Sequence, residues 1–562
     1  MINLREFVCN VISEKAGLDR SLLWDMLEYP PNEDMGDVAL PCFKLSKILR
    51  KSPMDIASSL AKSIEISDGL QRIDAVSGYL NFYIDKKKFI KDVIESVLNE
   101  KDKFGAKNIG EGNTVVIDFS APNIAKPFHI GHLRSTVIGN SIYKLLEFMG
   151  YRCVGVNHLG DWGTQFGKLI VAYKKWGKSE ESIEELMKLY VRFHDEAKNN
   201  PELEEEARAW FVKMEQGDKE ALDLWHRFKE ISLREFKKIY DLLGVNFDSY
   251  AGESFYNDKM EDIIEELKNK EMLKRSEGAL IVDLEEYNMP PCLVLKKDGS
   301  TLYATRDIAA ALYRKKEYSF VKCIYVTGVT QTLHFKQVTK VIEMMGHKDV
   351  SDNIIHVPFG TVSLGGEKLS TREGRVILLE EILSEAINKT SEVINSKNPN
   401  LQNKEEVAKQ IGVGAVVFSD LSSNRIKDVS FSWDEILNFE GETGPYVQYT
   451  YARASSVLGK AGNFEVKDFD CGLICKNEEF SLVKSMYLFP ERVELATREL
   501  EPSIITRYLI KLAQDFNRFY HECPVLVGDP GLRNSRLALV KAVHSILGIG
   551  LKLIGLNTLE RI

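Results

Sequence analysis

The period of the apolar positions changes several times along the chain, and each change predicts an element. Val115-Val116-Ile117 is a short unbroken run of β-branched residues, which predicts a buried strand. Ser120, Pro122 and Asn123 then mark a turn. Beyond Pro127, Ile138, Ile142, Leu145 and Met149 fall on one helical face. Gly150–Val156 reads as a second strand and Val321–Val326 as another buried one, followed by a helix start at Gln331–Gln337. Between them, residues 278 to 340 are expected to return to the same sheet. Asp298–Tyr303 is read there as a turn into a short strand, ahead of a helix over Ile308–Lys315. Ile354–Phe359 is a further apolar run. Strands alternating with helices predict an open α/β sheet.

The flanking regions follow other patterns. Residues 1–108 predict a small α+β unit, with helices over Leu4–Ala16 and Pro53–Ser63 and an alternating strand over Gly78–Ile84. Gly105 to Gly112 reads as a linker into a domain over 112–375. Within that domain, about 179–275 is helical and charged, and Trp210, Met214, Trp225 and Phe228 are spaced as helix core positions. From Val376 the pattern is helical throughout, with few strand signals. A connecting region over 376–444 precedes an all-helical domain over 445–562, which includes an amphipathic helix across Glu501–Pro524.

Composition excludes some classes. The 562 residues suffice for three or four domains. No apolar run approaches the ~18 residues of a membrane span, and no signal-peptide pattern opens the chain. The eight cysteines show no paired CxxC spacing, so reduced thiols are expected and no zinc. A net charge of −9 does not advertise a nucleic-acid partner. Basic groups still cluster at Lys47–Lys51, Lys86–Lys88, Lys174-Lys175 and Arg314–Lys316, each also readable as a solvated face.

The chemistry concentrates at the first strand-to-helix turn, where His129-Ile-Gly-His132 stands. A helix start offers free N–H groups and a positive dipole end to an anion. Two imidazoles add donors, and Gly131 lets a flat base approach the backbone. With its flank, Ser120-Ala-Pro-Asn-Ile-Ala-Lys-Pro-Phe-His-Ile-Gly-His-Leu-Arg-Ser-Thr136, the segment resembles the first signature of class I aminoacyl-tRNA synthetases, in the arginyl version. Glu367-Lys368-Leu-Ser370-Thr-Arg372, in a glycine-bordered stretch read as a mobile loop, resembles the second signature, Lys-Met-Ser-Lys-Ser. It departs from it by lacking the second lysine. Arginyl members of the family often lack it, with a lysine before the first signature thought to substitute; Lys126 occupies that place.

The resemblance implies a Rossmann-type catalytic domain with a helical insertion, a tRNA-contacting N-terminal domain and an anticodon-binding C-terminal domain. It implies that L-arginine is activated by ATP with Mg2+ and passed to tRNA(Arg), in a cytoplasmic and monomeric enzyme with no membrane. Lys126, His129, His132, Lys368 and Arg372 would stabilise charge, and His129, Gly131, His132, Gly160, Lys368 and Ser370 would hold ATP. Asp118, Asn123, Tyr303, Asp307 and Gln331 match the family's arginine-binding positions. Carboxylates suit a guanidinium fork, and the crevice beyond the strand ends is where these residues are expected. Two alternatives stay open: another class I synthetase, such as the cysteinyl or glutamyl type, and a non-catalytic RNA-binding paralogue.

Overall fold

The computed structural model describes residues 4–30, 35–66, 69–177, 182–297, 303–364, 367–368, 378–462 and 469–562. They form two compact units. One comprises residues 1–104, 454–489 and 514–546, and the other residues 105–453, 490–513 and 547–562.

In the first unit, helices Leu4–Ala16 and Pro53–Ser63 form where the apolar spacing predicts them. Ser52 caps the second helix through its side chain, with Pro53 at the first helical position. Strand Tyr79–Ile84 lies centrally in a three-stranded antiparallel sheet, between Val38–Pro41 and Leu70–Val76. Arg536 meets Glu479 at 2.8 Å inside this unit, both almost fully buried.

The second unit holds the parallel sheet. In chain order its main elements are β1 (Thr114–Asp118), α1 (Gly131–Phe148), β2 (Arg152–Val156), α2 (Lys219–Leu243), α3 (Tyr303–Tyr318), β3 (Lys322–Gly328), α4 (Thr332–Met344), β4 (Ile354–Phe359) and α5 (Lys404–Ser422). The strands stand in the order β4-β3-β1-β2, all parallel. From β1 the chain moves to one side for β2 and returns to the other side for β3. The β1/β3 boundary is therefore the point where strand order reverses, and a ligand crevice opens beyond the carboxyl ends at such a point. Asp118 ends β1 there, in register with Val156 and Tyr325.

Three sequence expectations need correction. Helix α3 begins at Tyr303 and not near Ile308, while residues 298–302 lie outside the described residues. The segment from 273 to 295 does not join the parallel sheet. Leu273–Ser276, Ala279–Val282 and Cys292–Leu295 build their own antiparallel three-stranded sheet. The C-terminal half contributes a short strand, Val429–Phe431, which pairs in parallel with Val362–Leu364. Three residues are too few to show a period. The insertion agrees with its reading: Trp210, Met214, Trp225 and Phe228 are all buried on its helices.

Helix α1 is buried on almost every face from Leu133 to Ile142, so its polar side chains need partners. Ser135 Oγ donates to the Val326 carbonyl at 2.7 Å, and Thr136 Oγ1 to that of His132 at 2.7 Å. Arg134 pairs with Asp420 of α5 at 3.1 Å, both fully buried, and donates to the Lys427 carbonyl at 2.7 Å.

Candidate active site

The turn between β1 and α1 is strained. Ser120, Ala121 and Ala125 have φ of 72°, 45° and 60°, a region that costs non-glycine residues about 1–3 kcal/mol each. Distant groups hold it. Ser232 Oγ on α2 accepts the Ala125 N–H at 2.8 Å, and Tyr240 on the same helix meets Ser120 Oγ at 2.8 Å. The Ser120 N–H donates to Ser135 Oγ at 2.9 Å. From the β2 side, Ile124 N–H donates to the Gly160 carbonyl and Gly160 N–H to that of Pro122.

This turn delivers the two histidines. Their rings stack with centroids 3.8 Å apart and an interplanar angle of 25°. Nδ1 of His129 accepts the Gly131 N–H at 3.1 Å, and Nδ1 of His132 accepts the His129 N–H at 3.2 Å. An accepting Nδ1 carries no proton, so in each neutral ring the proton resides on Nε2, leaving one N–H donor per ring. Burial holds both below the ordinary histidine range, His132 well below it; nearby Lys126 adds to this for His129, and the neighbouring ring for His132. A β-carbon on Gly131 would sit 2.9 Å from the His129 ring, so the missing side chain makes room for that imidazole.

Gly160 has a similar local reason. A β-carbon there would lie 2.1 Å from Asn123 Oδ1. The neighbouring Asp161 is fully buried and shapes its loop: its carboxylate takes Lys229 Nζ at 2.6 Å and both the N–H and hydroxyl of Ser254 at 2.8 Å. Trp225 Nε1 donates to its carbonyl at 2.7 Å.

Asp118 stands at the carboxyl edge of the sheet, at the end of β1. Asp118 Oδ2 receives Arg314 at 2.8 Å, and Arg314 also lies 3.3 Å from His158 Nδ1 and over the Tyr325 ring. Burial depresses the His158 pKa, with Asp118, Asp307 and Asp161 opposing the shift and Arg314 adding to it. Asp307 Oδ2 meets His334 Nε2 at 2.5 Å. Tyr303 and Asp307 share one face of α3, with Tyr303 67% exposed, and exposed Gln331 immediately precedes α4.

Of the second signature, Lys368 pairs in register with Ser363, while Ser370 and Arg372 lie outside the described residues. Its downstream flank returns to the first signature: Leu378 bridges to His129, and the Leu379 N–H donates to the Phe128 carbonyl at 3.0 Å.

Two groups escaped the sequence reading. Arg314 stands in a basic run of the sequence, but it is 1% exposed and pairs with Asp118. Glu253, in a charged insertion, is nearly buried 3.7 Å from Arg306. Burial pushes its carboxyl up to about 7 against the pull of Arg306, with Asp161 and Asp307 adding to the rise. No local pattern announces either residue, since both partners are remote in sequence. Among the described residues, no three His, Cys, Asp or Glu side chains gather as metal ligands, and no helix is long and apolar enough to cross a membrane.

Family models match three parts of the chain. Residues 4–84 match the arginyl tRNA synthetase N-terminal domain, residues 93–433 the class I (R) tRNA synthetase catalytic domain, and residues 447–562 the DALR anticodon binding domain. The Arginine--tRNA ligase of Alkaliphilus metalliredigens is 56% identical over 549 residues, covering 97% of each chain. That of Clostridium perfringens is 52% identical over 566 residues, covering 100% of each. Among solved structures, Thermus thermophilus arginyl-tRNA synthetase superposes with a TM-score of 0.84 at 25% identity over 100% of each chain. The Plasmodium falciparum enzyme gives 0.80 at 26% identity, covering 95% of this chain and 94% of its own.

Proposed function

The chain belongs to the arginyl-tRNA synthetases of class I, and from that premise we propose how its residues divide the work of activating L-arginine with ATP and transferring it to tRNA(Arg). The arginine carboxylate attacks the α-phosphorus in line and pyrophosphate leaves; a terminal tRNA hydroxyl then attacks the carbonyl of the arginyl-adenylate, giving up its proton, and AMP leaves as the acyl–phosphate bond breaks. No covalent enzyme intermediate is required, so catalysis is positioning plus stabilisation of growing phosphate charge.

His129 and His132 supply that stabilisation as neutral donors, one Nε2–H each. Neutrality suits two rings stacked at 3.8 Å, because a doubly charged pair would repel. Lys126, Lys368 and Arg372 provide the formal positive charge, and Gly131, Gly160 and Ser370 line the nucleotide. Mg2+ would be held by the ATP phosphates and would neutralise part of their charge.

Asp118, Asp307 and Tyr303 receive the guanidinium, with Asn123 and Gln331 at the ammonium and carboxylate end. Asp307 offers Oδ1 and the Oδ2 lone pair that His334 leaves free. Lysine would leave these acceptors unpaired and is rejected on that account. What supports this assignment is that Asp118 ends β1 at the point where strand order reverses, and that Asp307 is held at 2.5 Å by His334 in the first turn of the helix that follows β3. The N-terminal unit and the 445–562 helices contact tRNA(Arg), and the enzyme works as a cytoplasmic monomer.

Aminoacylation with each amino acid and bulk tRNA tests the activity. The Asp307→Ala variant tests the pocket: KM for arginine rises by at least tenfold while KM for ATP stays within twofold. Collapse of ATP binding with an unchanged arginine KM would remove Asp307 from the pocket. ATP–pyrophosphate exchange requires tRNA, and full exchange without RNA contradicts that part.

A further inference from the structure

Asp307 stands on the first turns of α3, and the described residues give its carboxylate one side-chain hydrogen bond, from His334. His334 comes from a different element. At the end of β3 the chain makes a short 3-10 turn, Val329–Gln331, and enters α4 with His334 in its first turn. Thr332 Oγ1 closes that turn on the Val329 carbonyl at 2.7 Å.

The helix start carrying His334 is fixed from behind. Phe335 packs on Tyr325 of β3 with ring centroids 4.8 Å apart and stacks on His356 of β4 at 4.9 Å. His356 is in turn bonded to Thr327 at 2.9 Å, and the His334 ring meets Phe335 edge-on at 5.3 Å. One turn further, Gln337 Nε2 donates to the Pro290 carbonyl at 2.8 Å. The imidazole is therefore a rigid donor mounted on the sheet, while the carboxylate it holds stands on a separate helix.

We infer that His334 is a positioning residue for amino-acid recognition: by donating Nε2–H to Asp307 Oδ2 it sets the rotation of that carboxylate, so that Oδ1 and the remaining Oδ2 lone pair face an incoming guanidinium as a fixed fork. This rests on the assignment of Asp307 to the arginine pocket. A fork needs both oxygens in one plane with the guanidinium, and a carboxylate free to turn meets that condition only part of the time. Loss of that shared plane weakens the hold on the guanidinium, and so shows in arginine KM.

The test uses the full chain with tRNA and three substitutions. His334→Leu keeps bulk and removes the donor; His334→Gln keeps an amide donor; Asp307→Ala removes the group being positioned. Arginine KM is expected to rise on the order of tenfold to a hundredfold in His334→Leu, with ATP KM and kcat at saturating arginine within twofold and an unchanged melting temperature. His334→Gln recovers most of that loss, and adding His334→Leu to Asp307→Ala raises arginine KM no further. A normal arginine KM in His334→Leu overturns the inference while leaving the pocket intact, provided Asp307→Ala is impaired. An unimpaired Asp307→Ala sinks the underlying pocket assignment instead. Additive effects in the double variant would assign His334 a separate, structural part.

Discussion

The imidazoles of His129 and His132 stack at 3.8 Å, each with Nδ1 engaged by a main-chain N–H and its proton left on Nε2. Burial favours the neutral ring in both. Two consequences can be measured. Replacing either ring by alanine removes one donor to the developing phosphate charge and should cost about 3 kcal/mol in the barrier, roughly a hundredfold in rate. The chemical step should also gain nothing on acidification from pH 8 to 6.5, since the working form is uncharged. Single-turnover adenylate formation across that range checks it, and a rate that climbs as pH falls would assign the imidazolium form.

Gly131→Ala separates stability from chemistry. Alanine in place of glycine favours a helix by up to about 1 kcal/mol. Its β-carbon would press the His129 ring from 2.9 Å. The expected outcome is a melting temperature equal to or above that of the parent, with exchange activity reduced on the order of a hundredfold.

Gly160→Ala should act differently. The new β-carbon lies 2.1 Å from Asn123 Oδ1 and 3.3 Å from its Cα, so more than a side-chain tip must move. Overpacking of this kind costs about 1–3 kcal/mol, and the shift displaces Asn123. Calorimetry should report the lost stability, and steady-state kinetics a raised arginine KM.

Arg134 and Asp420 form a buried pair whose members depend on each other. Arg134→Met strands the Asp420 carboxyl and should destabilise the unit by about 3–5 kcal/mol in urea titrations, while Arg134→Met with Asp420→Leu recovers much of it. Burial pushes the Asp420 carboxyl up to about 6 against the pull of Arg134. Between about 4 and 6 the folded chain holds a proton that the unfolded chain has released, so this group's contribution falls as pH rises through the window. Asp420→Asn should flatten that slope.

His356 gives the opposite sign. Burial lowers its pKa to about 4, opposed by its bond to Thr327. Below about 6.5 the unfolded chain binds a proton that the folded chain refuses. Its stabilisation is present above that pH and is lost as pH falls towards about 4. Melting temperatures at pH 7.5 and 4.5 should converge in His356→Phe relative to the parent.

The parallel strands were legible because buried strands read as unbroken apolar runs, and Lys322–Gly328 extends the predicted Val321–Val326 at its far end. The strand-to-helix turn at His129-Ile-Gly-His132 is legible because its letters are local. Pairings across the fold were not. Arg314 looks like the start of a solvated run until Asp118, on another strand, claims it. Ser232 and Tyr240 sit in an amphipathic helix pattern that gives no sign of two buried hydroxyl groups bonding the signature turn. The apolar pattern starts α3 late, because its first residues, Tyr303-Ala-Thr-Arg, show no apolar stripe until Ile308.

Helix α1 is also closed from far along the chain. Ser141 Oγ donates to the Leu553 carbonyl at 3.0 Å, and Gly555 presses against Asn140, where a β-carbon would lie 2.7 Å from Nδ2. With Ser232 and Tyr240 clamping the turn before it, the segment that carries His129 and His132 is assembled from parts of the chain synthesised at widely separated times. A nascent chain that has emerged only as far as the insertion carries the signature letters without the means to hold their shape. ATP affinity should therefore be among the last properties acquired during biosynthesis, and a ribosome-bound intermediate would hydrolyse or sequester little nucleotide before its helical tail is free to dock.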